Sequence, residues 1–325
     1  MKEIIEIIVP CFNEEKCIRP FHKEIKRVFS EEIPNYDYCI FFVDDGSKDS
    51  TINEIKAVAS EEEEGKIKYV SFSRNFGKES ALYVGFAQST GDLVVPMDAD
   101  LQHPPALLPQ MIEAIEEGYD CAGACRISRA GESKIRSFFS SSFYYIINAL
   151  TSIELKPGAT DYRLMKRSVV DAIVLFTERE RFTKGIYSWI GFKTKWIEYE
   201  NVEREIGETK WSFRGLMHYA LNGFFAFATR PLRLVVYFGM LVVLIAIIMA
   251  IHYSIGVLRN PESVRNGFTS VIVLVTFFGG IITMILGVMG EYLARIYMEV
   301  KKRPIFIVRE TNVDTDKKDF DKCDL

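Results

Sequence analysis

The chain has 325 residues, of which 48% are hydrophobic and 26% are charged, and its formal net charge is −4. This length accommodates one large domain with an appendage, and the slightly acidic balance argues against nucleic acid, which favours strongly basic surfaces. The six cysteines lack the spacing of a zinc site, and we expect them to be reduced, which indicates a cytosolic catalytic domain.

Strands and helices are predicted to alternate over the first third of the chain. Apolar runs predict strands at Ile4–Val9, Tyr38–Val43, Lys68–Phe72 and Leu93–Met97. Helices are predicted over Glu15–Phe29, from Asp49 or Ser50 to Ala59, over Ser80–Ser89, and from Pro104-Pro105 onward. The first run is too short for a secretory signal. The alternation predicts βαβ units and a mainly parallel sheet.

Acidic motifs fall where two of these strands end. Asp44-Asp45 follows the second strand, and Asp98-Ala99-Asp100 follows the fourth. Ligands of open parallel sheets bind beyond the carboxyl ends of the strands, so these motifs indicate a site. Two carboxylates two positions apart on a turn can converge on Mg²⁺ or Mn²⁺, with water and substrate phosphates as further ligands. Turn chemistry alone also favours aspartate, so the motif gains weight from its neighbours, which include Gln102.

Two segments are long enough and apolar enough to cross a bilayer. Leu234–Leu258 and Phe268–Gly290 contain no Lys, Arg, Asp or Glu, and about 20 apolar residues suffice for a span. The alternative is a pair of buried core helices, which are rarely so long and so uniformly apolar. Basic residues concentrate on the outer flanks, so the positive-inside rule places the catalytic domain and both termini in the cytoplasm. These residues are Arg230, Arg233, Arg295, Lys301, Lys302 and Arg303.

Two further segments have the mixed basic and aromatic character of helices that lie in the headgroup region. They are Lys134–Leu150 and Phe213–Thr229. For the first, a core helix of the catalytic domain is equally compatible with the pattern, whereas the second leads directly into the first predicted span. Thr311–Leu325 is polar and charged, which predicts a loose tail.

Several motifs, in this order, resemble glycosyltransferase family 2, and within it the polyprenyl-phosphate sugar transferases, which include dolichol-phosphate mannose synthases and bactoprenol glucosyltransferases. The resemblance continues through the paired apolar segments. The motifs are Pro10-Cys11-Phe12-Asn13-Glu14-Glu15, Val43-Asp44-Asp45-Gly46-Ser47, Ser73-Arg74-Asn75-Phe76-Gly77-Lys78, Met97-Asp98-Ala99-Asp100-Leu101-Gln102-His103-Pro104-Pro105, Gly123-Ala124-Cys125-Arg126, Asp161-Tyr162-Arg163-Leu164 and Arg204-Glu205-Ile206-Gly207-Glu208-Thr209-Lys210-Trp211-Ser212.

This resemblance implies an α/β architecture: a GT-A (Rossmann-like) catalytic domain with a mainly parallel sheet, interfacial helices and two transmembrane helices. The implied boundaries are a cytoplasmic catalytic domain over 1–212, an interfacial helix over 213–233, a two-helix transmembrane region over 234–290 and a cytoplasmic tail over 291–325.

The resemblance also implies a binding site for a nucleotide sugar and a divalent metal, Mg²⁺ or Mn²⁺. Asp98, Asp100 and Gln102 are the implied residues for the metal and the diphosphate. For Asn13-Glu14-Glu15, helix capping is an alternative role. The residues implied to bind the nucleotide sugar are Pro10, Asn13, Glu14, Asp44, Asp45, Asp98, Gln102, Arg204 and Lys210.

Basic residues are needed because the diphosphate of the donor and the phosphate of a lipid acceptor must approach each other. Arginine binds phosphate in a planar, bidentate way that lysine cannot reproduce. We expect Arg126, Arg129 and Arg136 to face the lipid phosphate, since they lie next to the first interfacial segment. The alternative for one or two of them is an ordinary pairing with surface carboxylates.

Asp161, Asp100 and Arg163 are the implied catalytic residues. Asp161 occupies the position that the resemblance suggests for a general base. A phosphate monoester has its second pKa near 6 and is largely a dianion at neutral pH, so the acceptor is already nucleophilic. Asp161 orienting the acceptor, or offsetting the charge of Arg163, therefore remains an alternative.

The implied reaction is one inverting transfer of a single sugar from a UDP-sugar, with glucose preferred, to a polyprenyl (undecaprenyl) phosphate for modification of cell-envelope glycans. UDP-N-acetylglucosamine, UDP-galactose and GDP-mannose remain open as donors, and a protein or a non-prenyl lipid remains open as acceptor. A processive polysaccharide synthase is disfavoured by the two spans and by the absence of a Gln-x-x-Arg-Trp segment near Lys210. A membrane scaffold or transporter with an inactive domain is disfavoured by the intact metal motif and by the uncharged spans. The resemblance and the apolar spans are compatible with a homo-oligomer, and the oligomeric state stays open.

Overall fold

The computed structural model describes residues 2–126, 148, 154–179, 181–200 and 268–313, together with individual positions between 237 and 255. Four predicted site residues lie outside the described residues: Arg129, Arg136, Arg204 and Lys210. So do nearly all of 134–150, all of 213–229 and part of the predicted first span.

Eight strands form one sheet. They are β1 (Ile4–Cys11), β2 (Asp37–Asp44), β3 (Ile67–Phe72), β4 (Leu93–Pro96), β5 (Cys121–Arg126), β6 (Ala159–Lys166), β7 (Thr194–Tyr199) and β8 (Val308–Thr311). The helices are α1 (Ile18–Glu31), α2 (Thr51–Glu61), α3 (Lys78–Gln88), α4 (Leu108–Glu116), α5 (Arg167–Val174), α6 (Thr183–Trp189) and α7 (Phe268–Val300).

The strand order is β7-β5-β6-β4-β1-β2-β3-β8. Strands β4, β1, β2 and β3 run parallel, whereas β6 is antiparallel to β4 and to β5, and β8 is antiparallel to β3. The chain order reverses at β1, between β4 and β2, which is where doubly wound sheets form their ligand crevice. The fold is thus the mostly parallel, GT-A-like α/β sheet that the sequence predicts.

Helices cover both faces of the sheet, which is why the central strands are almost continuously apolar. Ile5, Ile7 and Val9 of β1 pack in a core that also holds apolar residues of α1, α2 and α4. On the other side of the sheet, α3 packs against β1 and β2. The predicted strands and helices of the first third are all present, with boundaries that differ by a few residues.

Two local differences have physical causes. Helix α1 begins at Ile18 rather than at Glu15, because residues 15–17 form a turn in which the backbone N–H of Cys17 donates to Glu14 O at 2.9 Å. The N–H groups of Glu14 and Glu15 donate to the side chains of Thr51 and Asp49. The helix predicted from Pro104 begins with a single 3₁₀ turn, Pro105–Leu107, before α4. A proline early in a helix is compatible with either form, so the sequence alone leaves the choice open.

The chain divides into two compact units, one of Met1–Ala226 with Lys302–Leu325 and the other of Phe227–Lys301. In the second unit, α7 contains Phe277–Val300, 24 residues that are long enough and apolar enough to cross a membrane; it is the one such helix among the described residues. The helix continues beyond Gly290, where the sequence-based boundary of the span was set.

The prediction of a loose tail from Thr311 is wrong at its start, as is the tail predicted over 291–325. Residues up to Val300 continue α7, and Val308–Thr311 forms the edge strand β8 on β3. The backbone N–H of Tyr69 also donates to the side chain of Asn312, at 2.7 Å. A four-residue polar strand carries too weak a periodic signal to be found in the sequence.

The turn after β2 requires glycine at position 46. Gly46 has φ 67°, and a Cβ there would lie 2.3 Å from the carbonyl carbon of Arg74. Gly65 also has a positive φ, 86°, but a Cβ there would meet nothing within 4 Å. Substitution of Gly65 therefore measures the free-energy cost of the backbone conformation alone. Substitution of Gly46 adds the cost of a steric clash with the backbone of Arg74.

We expect Gly65→Ala to cost about 1 kcal/mol of unfolding free energy, the usual cost of a left-handed residue. Gly46→Ala should cost roughly 3 kcal/mol or more, because a backbone clash is added. Thermal unfolding of the solubilised full chain measures both variants. Equal losses of melting temperature would show that the loop after β3 does not press against Gly46.

Candidate active site

The carboxyl ends of the parallel strands gather the predicted site residues at one edge of the sheet. Pro10 lies near the end of β1, and Asp98 follows β4, its parallel neighbour. Asp161 lies near the start of β6, which runs antiparallel to β4, so this residue reaches the same edge. A small pocket is lined by Pro10, Asp98 and Asp161, together with Lys78 and His103. The structure thus brings together residues that lie far apart in the sequence.

The loops after β1 and β2 are joined by reciprocal hydrogen bonds. The backbone N–H of Asn13 donates to Ser47 Oγ at 2.8 Å, and that of Lys48 donates to Asn13 Oδ1 at 2.9 Å. The N–H of Glu14 donates to Thr51 Oγ1 at 2.8 Å. Asn13 has φ 53°, a conformation that asparagine tolerates better than most residues. Asn13 and Glu14 therefore join the loop after β1 to the loop after β2 and the start of α2, and their contact with a nucleotide stays a prediction.

The two aspartates at the end of β2 hold different loops. Asp44 is buried, and its carboxylate accepts hydrogen bonds from Ser47 N at 3.0 Å and Ser71 Oγ at 2.6 Å. Asp45 accepts from the backbone N–H groups of Phe76 at 2.6 Å and Gly77 at 2.9 Å. Burial raises the pKa of Asp45 to about 6, although both of these bonds act to lower it. Asp45 thus anchors the loop that leads into α3, and its role in nucleotide binding stays a prediction.

Lys78, the first residue of α3, is the cation at the centre of the site. Its Nζ lies 2.6 Å from Asp98 Oδ1 and 3.4 Å from Asp161 Oδ2. Burial alone would lower the pKa of Lys78, but the two carboxylates raise it above its ordinary value. In the sequence, Lys78 is the last residue of the Ser73–Lys78 motif, which by itself indicates no role for it. Its position directly after Gly77, at the start of the helix that follows the third strand, was the available signal.

The Asp98-Ala99-Asp100 turn has the donor chemistry of a divalent metal site. Leu101 has φ 56°, and the resulting turn lets Gln102 N donate to Asp100 Oδ1 at 3.1 Å. Among the residues that the structure describes, no cluster of three or more His, Cys, Asp or Glu side chains could by itself hold a metal ion. Two carboxylates plus substrate phosphates are the usual set for Mg²⁺. The residues therefore fit a metal that arrives with a diphosphate.

His103 supports Asp98 from within the protein. It is buried, its Nδ1 lies 3.9 Å from Asp98 Oδ2, and its ring packs near those of Tyr162 and Tyr199. Burial lowers the pKa of His103, and the aspartate only partly offsets this effect. His103 belongs to the same motif as Asp98, and the structure places the two side chains next to each other.

Asp161 lies between two lysines. Lys78 Nζ lies 3.4 Å from Asp161 Oδ2. Lys184 donates at 3.2 Å to the carbonyl of Ala159, which precedes Asp161 by two residues on β6. Burial alone would raise the pKa of Asp161, but Lys184 and Lys78 lower it. A carboxylate with a lowered pKa is a weak base. This environment supports an orienting role for Asp161 more than proton abstraction.

Arg163 lies behind Asp161 on β6, because side chains two apart on a strand share a face. Its side chain is 6% exposed, and the guanidinium sits 4.2 Å from the ring centroid of Tyr187 and 4.9 Å from that of Trp196. Within the described part of the chain its Nε has no hydrogen-bond partner, and burial lowers the pKa of Arg163. The structure places this predicted catalytic residue inside the protein, packed against Tyr187 and Trp196, and its catalytic role stays a prediction.

Glu79 and Thr183 form a neighbouring contact that sequence reasoning missed. The carboxylate of Glu79 accepts from the backbone N–H of Thr183 at 2.9 Å and from its hydroxyl, at the first residue of α6. This is a helix cap supplied by a different helix. It ties α6, which carries Lys184, to α3, which carries Lys78. No local pattern could reveal a pair 104 positions apart.

Arg126, the last residue of β5, lies at the same edge of the sheet as β6 begins. Its backbone N–H donates to Gly158 O at 3.0 Å, and among the residues that the structure describes its buried Nε has no hydrogen-bond partner. The backbone of Arg126 therefore lies beside the start of β6. Its assignment to the lipid phosphate stays a prediction.

The family model of Glycosyl transferase family 2 matches residues 6–174, which contain most of β1, the whole of β2 to β6 and all residues that line the pocket. The chain belongs to glycosyl transferase family 2.

Relatives of this glycosyltransferase match nearly its whole length. The prophage bactoprenol glucosyl transferase homolog of Escherichia coli K12 is 39% identical over 94% of this chain and 98% of its own. The prophage-derived bactoprenol glucosyl transferase of Shigella flexneri is 38% identical over 95% and 98%. CsbB of Bacillus subtilis, which its name assigns provisionally to the glycosyltransferases, is 44% identical over 95% and 92%.

Among solved structures, mannosyl-3-phosphoglycerate synthase from Rubrobacter xylanophilus matches 68% of this chain and 71% of its own, with a TM-score of 0.46 at 14% identity. Similarity at that level carries no statement about substrate.

We expect Arg163→Met to leave the melting temperature of this glycosyltransferase unchanged or raised, because an apolar side chain replaces a buried, incompletely paired charge. Sugar transfer should fall about tenfold or more, since Asp161 loses the group behind it. Thermal unfolding and steady-state kinetics on the same preparation measure both effects.

Arg167→Met is the matched control, because Arg167 pairs with Asp171 at 2.9 Å and donates to Ser89 O at 2.8 Å, away from the pocket. Here stability should fall while the turnover of the folded enzyme is retained. A large loss of stability in Arg163→Met with normal turnover would assign Arg163 to the scaffold.

Proposed function

We propose that this glycosyltransferase moves one glucose from UDP-glucose to a polyprenyl phosphate, undecaprenyl phosphate, at the cytoplasmic face of the cell membrane. The observation that carries the proposal is the similarity, over 94–95% of the chain, to relatives named bactoprenol glucosyl transferase. A lipid-linked acceptor also suits a chain with a helix of membrane-spanning length, Phe277–Val300. The predicted first span and the predicted interfacial segments belong to the same proposal.

The donor site is proposed at the crevice between β1 and β4. Asp98, Asp100 and Gln102 would hold Mg²⁺ or Mn²⁺, with diphosphate oxygens and water as the remaining ligands. When bound, the metal supplies positive charge that stabilises the diphosphate leaving group. The strand-end position of Pro10 and Asp98 supports this placement, since nucleotides occupy the switch point of such sheets.

Lys78 is proposed to change its ionic partner when the donor binds. Before the donor binds, its ammonium lies between the carboxylates of Asp98 and Asp161. A diphosphate oxygen entering this pocket would offer Lys78 a third negative partner, in competition with Asp98 and Asp161. Lys78 is then able to neutralise charge on the leaving group. Preorganised cations of this kind act most strongly where charge develops in the transition state.

Asp161 and Arg163 are proposed to orient the acceptor. The acceptor phosphate is mostly a dianion at neutral pH, so no proton must be removed before attack. One of its oxygens attacks the anomeric carbon in line with the bond to the diphosphate. The new carbon–oxygen bond forms as the bond to UDP breaks, and the electron pair leaves with UDP. The configuration at the anomeric carbon is inverted.

The first prediction of this proposal concerns the reaction itself. Radiolabelled glucose should pass from UDP-glucose to undecaprenyl phosphate with Mg²⁺ or Mn²⁺ and give chloroform-soluble label, and EDTA should abolish the transfer. Asp100→Ala should reduce it by about 100-fold or more, whereas Asp171→Ala, which changes an exposed aspartate paired with Arg167, should not.

Label from UDP-N-acetylglucosamine, UDP-galactose or GDP-mannose, but not from UDP-glucose, would correct only the donor. Label found in a polymer would favour a processive synthase. Folded protein that transfers no sugar from any of these donors would exclude the lipid-phosphate acceptor.

A second prediction concerns Lys78. Lys78→Met should lower kcat by about 100-fold, because a cation aimed at developing charge is lost, and should change the KM for the acceptor much less. Lys48→Met is the control, since Lys48 is an exposed lysine of the neighbouring loop. Equal kinetics in both variants would remove Lys78 from the mechanism.

A further inference from the structure

The segment that follows the membrane-spanning-length helix packs against the sheet beside the active site. We call residues 304–313 the return segment. Its Phe306 is 8% exposed and stacks on Phe72, the last residue of β3, with ring centroids 5.3 Å apart and an interplanar angle of 19°. Phe306 joins the core cluster of β2, β3 and α3. A side chain from the far end of the sequence therefore completes the packing under α3.

Backbone bonds fix the return segment at the carboxyl end of β3. Strand β8 pairs with β3 in antiparallel register, so the segment enters at the edge of the sheet that holds the site. Ser73 is the first residue after β3, and its backbone N–H donates to the carbonyl oxygen of Ile307 at 2.9 Å. Farther along, Lys56 of α2 forms an ion pair with Glu310 at 2.6 Å. The loop that starts at Ser73 thus has its first backbone bond to the return segment.

A chain of contacts leads from Phe306 to Lys78. The ring of Phe72 meets that of Phe76 edge-on, with centroids 5.8 Å apart. The N–H groups of Phe76 and Gly77 donate to Asp45, and Gly77 directly precedes Lys78 at the start of α3. The loop of residues 73–77 is therefore held on one side by Asp45 and on the other by the return segment, and it sets where α3 begins.

We propose that Phe306 is a positioning residue for sugar transfer, which acts through Phe72 and the 73–77 loop to hold Lys78 between Asp98 and Asp161. The inference rests on the proposed function for the role of Lys78, but the contacts that carry it do not. Lys78 has a long, flexible side chain, and such a group is catalytically useful only if its backbone is fixed to within a fraction of an ångström. Phe306 supplies that constraint from outside the site.

The test is a double-mutant cycle on the full chain in detergent or nanodiscs. Phe306→Ala should lower kcat by roughly 10- to 100-fold, the range expected when a remote change shifts a catalytic group. In the Lys78→Met background the same substitution should change kcat by less than about threefold, since the group through which it acts is gone. A merely structural Phe306 would lower kcat by the same factor in both backgrounds, and that result would overturn the proposal.

Two variants guard against misfolding. Phe306→Leu keeps apolar bulk in the pocket and should restore most of the kcat lost in Phe306→Ala. Arg309→Ala, at an exposed position of β8, should leave kcat unchanged.

Amide hydrogen exchange provides a readout that needs no substrate. In Phe306→Ala, exchange at Phe76 and Gly77 should quicken relative to wild type and to Arg309→Ala, because Phe72, on which Phe76 packs, loses the ring stacked against it. Unchanged exchange would overturn the proposal even if kcat falls. If the wild type transfers sugar from no donor, the proposed function fails, while the exchange experiment still decides whether Phe306 holds the loop.

Discussion

Two carboxylates and one ammonium group at a sheet edge are the constraint around which the site is built. Asp98 and Asp161 come from adjacent antiparallel strands and point into one pocket, where like charges repel more strongly than they would in water. The positive charge of Lys78 offsets this repulsion, because its Nζ lies 2.6 Å from the carboxylate of Asp98 and 3.4 Å from that of Asp161. The loops after β1, β2 and β3 can be seen as the supports that keep this lysine in place.

Carboxylates that accept hydrogen bonds from neighbouring loops hold these supports in place. Asp44 and Asp45 are adjacent, yet the first binds its own turn and the β3 strand, and the second binds the next loop. Glu79 likewise accepts a hydrogen bond from the backbone N–H of Thr183, the first residue of α6. Each carboxylate satisfies backbone N–H groups that would otherwise be buried without partners. An acidic motif can therefore be structural and lie in an active site at the same time.

The sequence predicted the alternation of strands and helices, the mainly parallel sheet and the edge where the site lies, because apolar runs and strand-end motifs are local patterns. It also predicted that Pro10, Asp98 and Asp161 belong to one site, through the resemblance of their motifs to a family. It could not assign Lys78 its central place, because that depends on where α3 begins in three dimensions. It could not show that Arg163 is buried against Tyr187 and Trp196, because that packing joins residues that are distant in the sequence. It missed β8 because a strand of four residues, three of them polar, carries almost no periodicity.

The position of β8 in the sequence has a consequence for how the protein is made. Domains generally fold in the order in which they leave the ribosome, yet this sheet takes its last strand from beyond α7. Until that strand is synthesised, β3 is an unpaired edge, the kind of surface that invites aggregation. The sheet is finished only after the apolar helix has emerged and had the opportunity to enter a bilayer. A chain whose synthesis stops before Val308 therefore lacks the last strand of this sheet.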